Sequence, residues 1–277
     1  MYMVMGGIPQ YLKEIQAGQS AVQNIDNIYF TKDGLLKTEF DNLFYALFEN
    51  AGKHIDIVRA LARKPTGLTR NEIMISVGLQ TGGGSTQLLT ELEESGFITS
   101  VIPFNKKVKD SLYRLTDEYT LFYIKFIEPT RKQTGKGTWN RLAETSSWKT
   151  WSGYAFESIC LKHIEAIKAG LGITGVYTIT AAWRYNGTGI EEGAQIDLLI
   201  DRSDRCINIC EMKFCGDEFI INKTYAANLE KKIKVFRCVA QPKKNIFLTM
   251  ITTYGVKENI YKVNLIQNEL TMSALFE

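Results

Sequence analysis

The chain has little that would place it in a membrane or tie it together covalently. In its 277 residues no apolar run reaches about 18, the length a helix needs to cross a bilayer, so no membrane span is expected. Met1-Tyr2-Met3-Val4-Met5 is apolar but too short for a signal peptide and lacks a basic start. The five cysteines are an odd, scattered set, which points to reduced thiols and a cytoplasmic setting. Cys206, Cys210 and Cys215 have neither a two-residue spacing nor a nearby histidine, so they read as buried thiols and not as zinc ligands. There are only two histidines, His54 and His163, both on helical stretches without partner spacing, and a core or surface role fits them better than catalysis. The net charge of +3 is too small to signal nucleic acid on its own.

Charge distribution says more. Between residues 101 and 150 the basic residues are Lys106, Lys107, Lys109, Arg114, Lys125, Arg131, Lys132, Lys136, Arg141 and Lys149, against Asp110, Asp117, Glu118, Glu128 and Glu144, ten to five. Such a segment suits phosphate contact, and a solvated face or linker accounts for it nearly as well.

The most informative stretch is Gln195-Ile196-Asp197 followed by Glu211-Met212-Lys213. Ile196 to Asp201 and Cys206 to Phe214 read as strands joined by the turn Arg202-Ser203-Asp204-Arg205. A tight hairpin centred on Asp204 pairs residues whose numbers sum to about 408, which sets Asp197 opposite Glu211; Cβ atoms of opposed residues lie roughly 4.5–5.5 Å apart. Side chains alternate along a strand, so Lys213 shares a face with Glu211. By the same alternation Leu199, Ile207 and Ile209 lie on the charged face, and Ile196, Leu198 and Ile200 on the other. A strand pair this apolar is covered on both sides, and opposed carboxylates there are costly. A hard divalent cation, Mg²⁺ or Mn²⁺, removes the objection. The plainer alternative is a Lys–Glu ion pair on a surface hairpin, with Asp197 closing a turn.

Around this motif the chain falls into four stretches. Residues 1–50 are mostly helical; Gly6-Gly7 breaks one helix and Pro9 starts the next, and Phe40, Leu43, Phe44 and Leu47 recur at helical spacing within Glu39 to Glu49. Residues 51–129 contain helices at His54 to Ala62, after the capping box Thr69-Arg70-Asn71-Glu72, and from Ser85 through Leu92, with Gly82-Gly83-Gly84 as a turn and Gly96 as a stop. Strands at Phe97 to Pro103 and Tyr113 to Leu115 flank the basic tip Asn105-Lys106-Lys107-Val108-Lys109, and an aromatic helix runs from Asp117 to Ile127. Residues 130–147 read as a linker. Residues 148–277 read as a mixed α/β core: a helix at Trp148 to Lys168, a strand at Gly175 to Trp183, the charged hairpin, a helix at Asn222 to Val239, a strand at Asn245 to Thr252, and a further strand at Ile260 to Leu265.

The helix–strand–strand–strand–helix–strand order with Asp197, Glu211 and Lys213 at its centre resembles the PD-(D/E)XK nuclease superfamily over about residues 148–265. The resemblance implies an αβββαβ restriction-endonuclease-like core, Asp197 and Glu211 as Mg²⁺ (or Mn²⁺) ligands, Lys213 as the catalytic positive partner, and Glu157 on the first core helix completing the metal set. Glu157 also reads as a solvated helix position. The proline that precedes the Asp in that family is replaced by Ile196. The three helices and basic hairpin of 51–129 resemble a winged helix, which implies DNA contacts at Thr86, Gln87, Lys106 and Lys107, although Glu91, Glu93 and Glu94 on the third helix depart from a basic reading helix. Lys223 and Tyr225 open the helix near the expected cleft and could contact phosphate, Lys223 being counted among the DNA contacts, although helix-surface residues are the commoner reading. The Tyr2, Gly6-Gly7, Pro9, Tyr11-Leu12 signature resembles the lid of an archaeal and bacterial AAA+-type P-loop ATPase family that carries a winged helix and a nuclease-like domain after its ATPase core. The chain lacks the phosphate-binding motif itself: Gly135-Lys136-Gly137-Thr138 has the wrong spacing and Gly82-Gly83-Gly84-Ser85-Thr86 has no lysine. The resemblance therefore implies a carboxyl-terminal part of such an ATPase, with DNA and an ATPase domain or other protein as partners and no ATP hydrolysis by this chain alone. The expected class is α/β: a helical lid remnant, a winged helix, and the nuclease-like core, active or serving as a binding adaptor.

Overall fold

A computed structural model describes residues 1–80, 82–132, 135–188 and 192–276. The chain forms two compact units, one of residues 1–100 and 112–155, the other of residues 101–111 and 156–277. It is an α/β protein with a mixed five-stranded sheet and a small antiparallel one.

The first unit opens with α1 (Tyr2–Met5), α2 (Pro9–Leu12) and α3 (Ala21–Ile25). Gly6 ends α1 at φ +66° and Pro9 is the first residue of α2, as the glycine and proline placement predicts. A side chain at Gly6 would be strained by that φ, and its Cβ would stand 3.1 Å from the Glu118 carboxylate. Next come α4 (Glu39–Leu47), α5 (Ala51–Ala62), β1 (Leu68–Thr69), α6 (Arg70–Val77), α7 (Gly83–Glu94), β2 (Ile98–Val101), β3 (Leu112–Leu115) and α8 (Glu118–Phe122). The Thr69–Glu72 capping box forms in full. Ser85 differs from expectation. It lies inside the first turn of α7, where its Oγ accepts the Gly82 N–H at 3.0 Å, so Gly83 and Gly84 are helical rather than turn. The small sheet runs β1-β3-β2. Beyond α8 the aromatic helix continues as a π-helical turn, Tyr123–Ile127.

Two expectations for this unit need correcting. Residues 1–50 are not a separate body and share one core with the rest of the first unit: Val4, Tyr29, Phe40 and Phe44 are buried together with Ile57, Leu92, Phe122 and Trp151. Residues 130–147 are not an open linker. They carry α9 (Thr138–Leu142), and Trp139 is 1% exposed, 5.4 Å from the Phe126 ring and 5.0 Å from Trp148. The buried Asp26 carboxylate accepts the backbone N–H groups of Gly137 and of Trp139, the latter at 2.8 Å. A carboxylate distant in sequence thus satisfies helix-start donors that have no partner within the helix. The polar, glycine-bearing composition hid a tryptophan anchor.

In the second unit, α10 (Ser146–Lys162), which begins in the first unit, is followed by α11 (Ile164–Gly170); the single helix expected there breaks at His163. The sheet comprises β4 (Thr178–Tyr185), β5 (Ala194–Arg202), β6 (Cys206–Lys213), β7 (Asn245–Thr252) and β8 (Asn268–Thr271), in that spatial order. Strands β4, β5 and β6 are antiparallel neighbours, and β6, β7 and β8 run parallel. Helix α12 (Lys223–Ala240) makes the parallel crossover, capped by the Asn222 side chain. The segment Ile260–Leu265, expected as a strand, is α13, because Asn259 Oδ1 accepts the N–H groups of Tyr261 and Lys262 and starts a helix; its exposed Ile260 and Val263 are three residues apart, a spacing that shares a face on a helix but not on a strand.

One sheet face packs Leu199, Ile207, Ile209 and Leu248 against Leu229 and Phe236 of α12. Within the sheet the fully buried Asn208 donates to Thr249 Oγ1 at 3.0 Å and Asn268 Oδ1 at 3.1 Å, and its own Oδ1 accepts from Arg202 at 3.2 Å. This polar ladder ties β5, β6, β7 and β8 in one register, since a slip of one residue would strand its buried groups.

Asp26→Ala is expected to destabilise the first unit by about 1–3 kcal/mol, because the buried Trp139 N–H loses its acceptor, while the exposed Gly137 N–H can turn to water. Urea denaturation followed by tryptophan fluorescence measures it; a midpoint equal to wild type would contradict the role given to the carboxylate.

Candidate active site

The site grows from the ends of β5 and β6. The hairpin register matches the sequence reading: Leu198 pairs with Cys210, Leu199 with Ile209 and Asp201 with Ile207, each pair summing to 408. The ladder stops at Leu198, however, so Asp197 and Glu211 are not a paired rung. The reason lies on the other side of β5. There Leu199 pairs with Ala181 and Ile196 with Trp183, which leaves Asp197 and Leu198 together opposite Ala182. This is a β-bulge, a device that ends pairing and re-aims a side chain. It also corrects the face assignment, for Ile196 joins Leu199, Ile207 and Ile209 in the same apolar cluster. Asp197 accepts a hydrogen bond from Gln195 Nε2 at 2.7 Å.

Glu211 and Lys213 do meet. They lie two residues apart on β6, and Lys213 Nζ stands 3.1 Å from Glu211 Oε1. The same oxygen accepts from the Tyr225 hydroxyl at 2.9 Å, while Oε2 accepts from the Lys232 ammonium. Lys213 Nζ also lies 5.6 Å from the centre of the Tyr225 ring, a cation–π distance. The Glu211 side chain is only 12% exposed. Burial acts to raise its pKa, but the charges of Lys232 and then Lys213, with their hydrogen bonds, outweigh burial and hold the carboxyl below its ordinary value. Burial, the Glu211 charge and hydrogen bond, and the Glu157 charge push the Tyr225 phenol far up, so it remains a donor at neutral pH. Glu157 is half-buried on α10, and its influence on Tyr225 brings it into the electrostatics of this cluster.

Sequence reasoning missed Lys232 and read Tyr225 as a helix-surface residue that could contact phosphate, not as a partner of Glu211. The signal was present: Tyr225, Leu229, Lys232 and Phe236 repeat at three- and four-residue steps, one face of a helix, and the apolar members of that face fix the polar ones over the sheet. Lys223 is exposed on the first turn of α12. Thr86 and Gln87 are exposed on α7 in the first unit, with Gln87 Nε2 donating to Glu91 at 2.8 Å. Lys106 and Lys107 are exposed in the segment 101–111, which belongs to the second unit. His54 is buried, its ring nitrogens 3.1 Å from Asn50 O and 2.8 Å from Glu91 Oε2.

Among the described residues no group of three or more His, Cys, Asp or Glu is arranged to hold a metal by itself. Mg²⁺ takes one or two protein carboxylates, with waters and substrate phosphates supplying the rest. Ionised Glu211 and the bulge residue Asp197 fit such an ion by donor type. No protein-family model matches the chain, and no curated protein matches it.

Because Glu211 ionises more readily in the folded protein, its contribution to stability is complete above the unfolded value near 4.5 and is lost as pH falls through the lower folded value. Glu211→Gln is expected to cost about 3 kcal/mol at pH 7, the scale for removing one partner of a buried ion pair. The gap to wild type should close as the pH is lowered below 4.5. Urea titrations across pH 7 to 3 test this, and a gap independent of pH would remove the ionic account.

Proposed function

We propose that the second unit is a PD-(D/E)XK-like nuclease core that hydrolyses DNA phosphodiester bonds with Mg²⁺ or Mn²⁺. The observation that carries the proposal is the contact of Lys213 Nζ with Glu211 Oε1 at 3.1 Å, at the end of β6 where its antiparallel pairing with β5 has stopped and only the parallel pairing with β7 continues. The bulge that takes Asp197 out of the ladder supports it, as does the α12 crossover between β6 and β7. Asp197 and Glu211, with Glu157 at the margin, would hold the ion, which supplies an activated water and charge stabilisation at the phosphate. Lys213 holds a fixed positive charge where a pentavalent phosphate gathers negative charge. Tyr225 keeps the Glu211 carboxylate oriented and, being protonated, cannot compete for the cation. Thr86 and Gln87 on α7, and Lys106, Lys107 and Lys223, are the proposed DNA contacts, and the first unit is the proposed link to an ATPase domain.

A binding adaptor without hydrolysis is the second reading. It is favoured by one observation: both oxygens of Glu211 are already engaged by protein donors.

Supercoiled plasmid incubated with the full chain and Mg²⁺ or Mn²⁺ separates the readings. The nuclease reading expects nicking that Asp197→Asn and Lys213→Ala reduce at least about 100-fold, the scale for losing one electrostatic transition-state contact. Equal nicking by Lys213→Ala and wild type would reject the assigned roles. DNA retention without any nicking would establish the adaptor.

A further inference from the structure

The Glu211 carboxylate is served unequally on its two oxygens. Oε1 is shared by the Tyr225 hydroxyl at 2.9 Å and Lys213 Nζ at 3.1 Å; Oε2 carries the Lys232 ammonium. Tyr225 and Lys232 are seven residues apart on α12, two helical turns, and so face the same way. The helix is anchored between and beyond them by buried Leu229 and Phe236, which fixes the root of the Lys232 side chain.

The two lysines differ in what holds them. Lys213 lies against the Tyr225 ring as well as the carboxylate. Lys232 is 20% exposed and Lys213 32%, so exposure does not separate them; the oxygen each occupies and the ring contact do, and the four-carbon stem of Lys232 can carry its ammonium off Oε2 without moving the helix. An ammonium and a divalent ion repel each other strongly at one oxygen in a site this shielded. Binding of a cation at Oε2 therefore requires Lys232 to leave, whereas Lys213, on Oε1, is not in its way.

We propose that Lys232 is a resident counter-cation of Glu211, occupying the oxygen that a divalent ion takes, and that the ion binds by displacing it toward the phosphodiester. This rests on the metal-dependent reading of the same site. In the absence of an ion the buried carboxylate keeps a partner, and bare metal binds weakly. When a phosphate is present to receive the released ammonium, metal and DNA each tighten the other's binding, as linkage demands. Lys232 is thus a positioning residue acting through Glu211 and, once released, a contact to the backbone.

Mn²⁺ titration of the full chain by calorimetry, without DNA, tests the displacement. Lys232→Met keeps the stem and removes the charge; it is expected to bind Mn²⁺ about tenfold or more tightly than wild type, a shift well outside calorimetric error. Lys231→Met, an equal charge change at the neighbour that pairs with exposed Glu192, should leave the affinity within about twofold, since exposed pairs contribute little. Glu211→Gln should abolish binding. Lys232→Gln provides the same comparison if the methionine variant does not fold. Binding that depends on Glu211 but is unchanged or weakened in Lys232→Met would overturn the displacement and leave the metal site standing. No Mn²⁺ binding by wild type or by Lys232→Met would overturn both.

Discussion

A carboxylate taken almost out of water, with three donors closed around it, organises the second unit. Glu211 sits where β6 leaves its antiparallel partner and continues beside a parallel one, and at that junction two elements converge: the strand through Lys213 and the crossover helix through Tyr225 and Lys232. An isolated buried charge is untenable, and a pair with its remaining lone pairs satisfied is tolerated at some cost in stability. Hydrophobic residues of the same volume would have served the core as well or better. Stability alone therefore does not account for a fully engaged glutamate at this position.

The bulge at Asp197-Leu198 complements that arrangement. Regular pairing would have set two carboxylates face to face on one rung, each raising the other's electrostatic cost. One extra residue in β5, set against β4, accompanies the end of the β5–β6 ladder at Leu198 and Cys210 without breaking the strand.

Much of this was legible in the residues. The hairpin sum, the shared face of Glu211 and Lys213, the Thr69 cap and the Gly6–Pro9 break all derive from local rules that depend on a few neighbouring residues. What escaped was set by distant partners. The bulge depends on how β5 meets β4, which the hairpin arithmetic does not include. Trp139 is anchored by Asp26, over a hundred residues away, so a polar stretch around it read as a linker. Ile260–Leu265, a short segment of mixed apolar and polar residues, was open to strand or helix, and the Asn259 cap decided it. Lys232 was hidden in plain sight: a lysine on a lysine-rich helix reads as solvated until the sheet beneath it supplies a carboxylate.

The segment 101–111 has a consequence for how the second unit can be handled. Although it lies between strands of the first unit in sequence, Phe104 donates its N–H to Ala182 O at 2.7 Å and sets its ring 5.6 Å from Phe236. It thereby blunts the outer edge of β4, the strand that would otherwise offer free backbone groups to any passing chain. A truncation beginning near residue 148 excises this cover along with the first unit. Such a fragment would expose an adhesive sheet margin and an aromatic hollow beside α12, and its insolubility would say nothing about whether the intact chain folds.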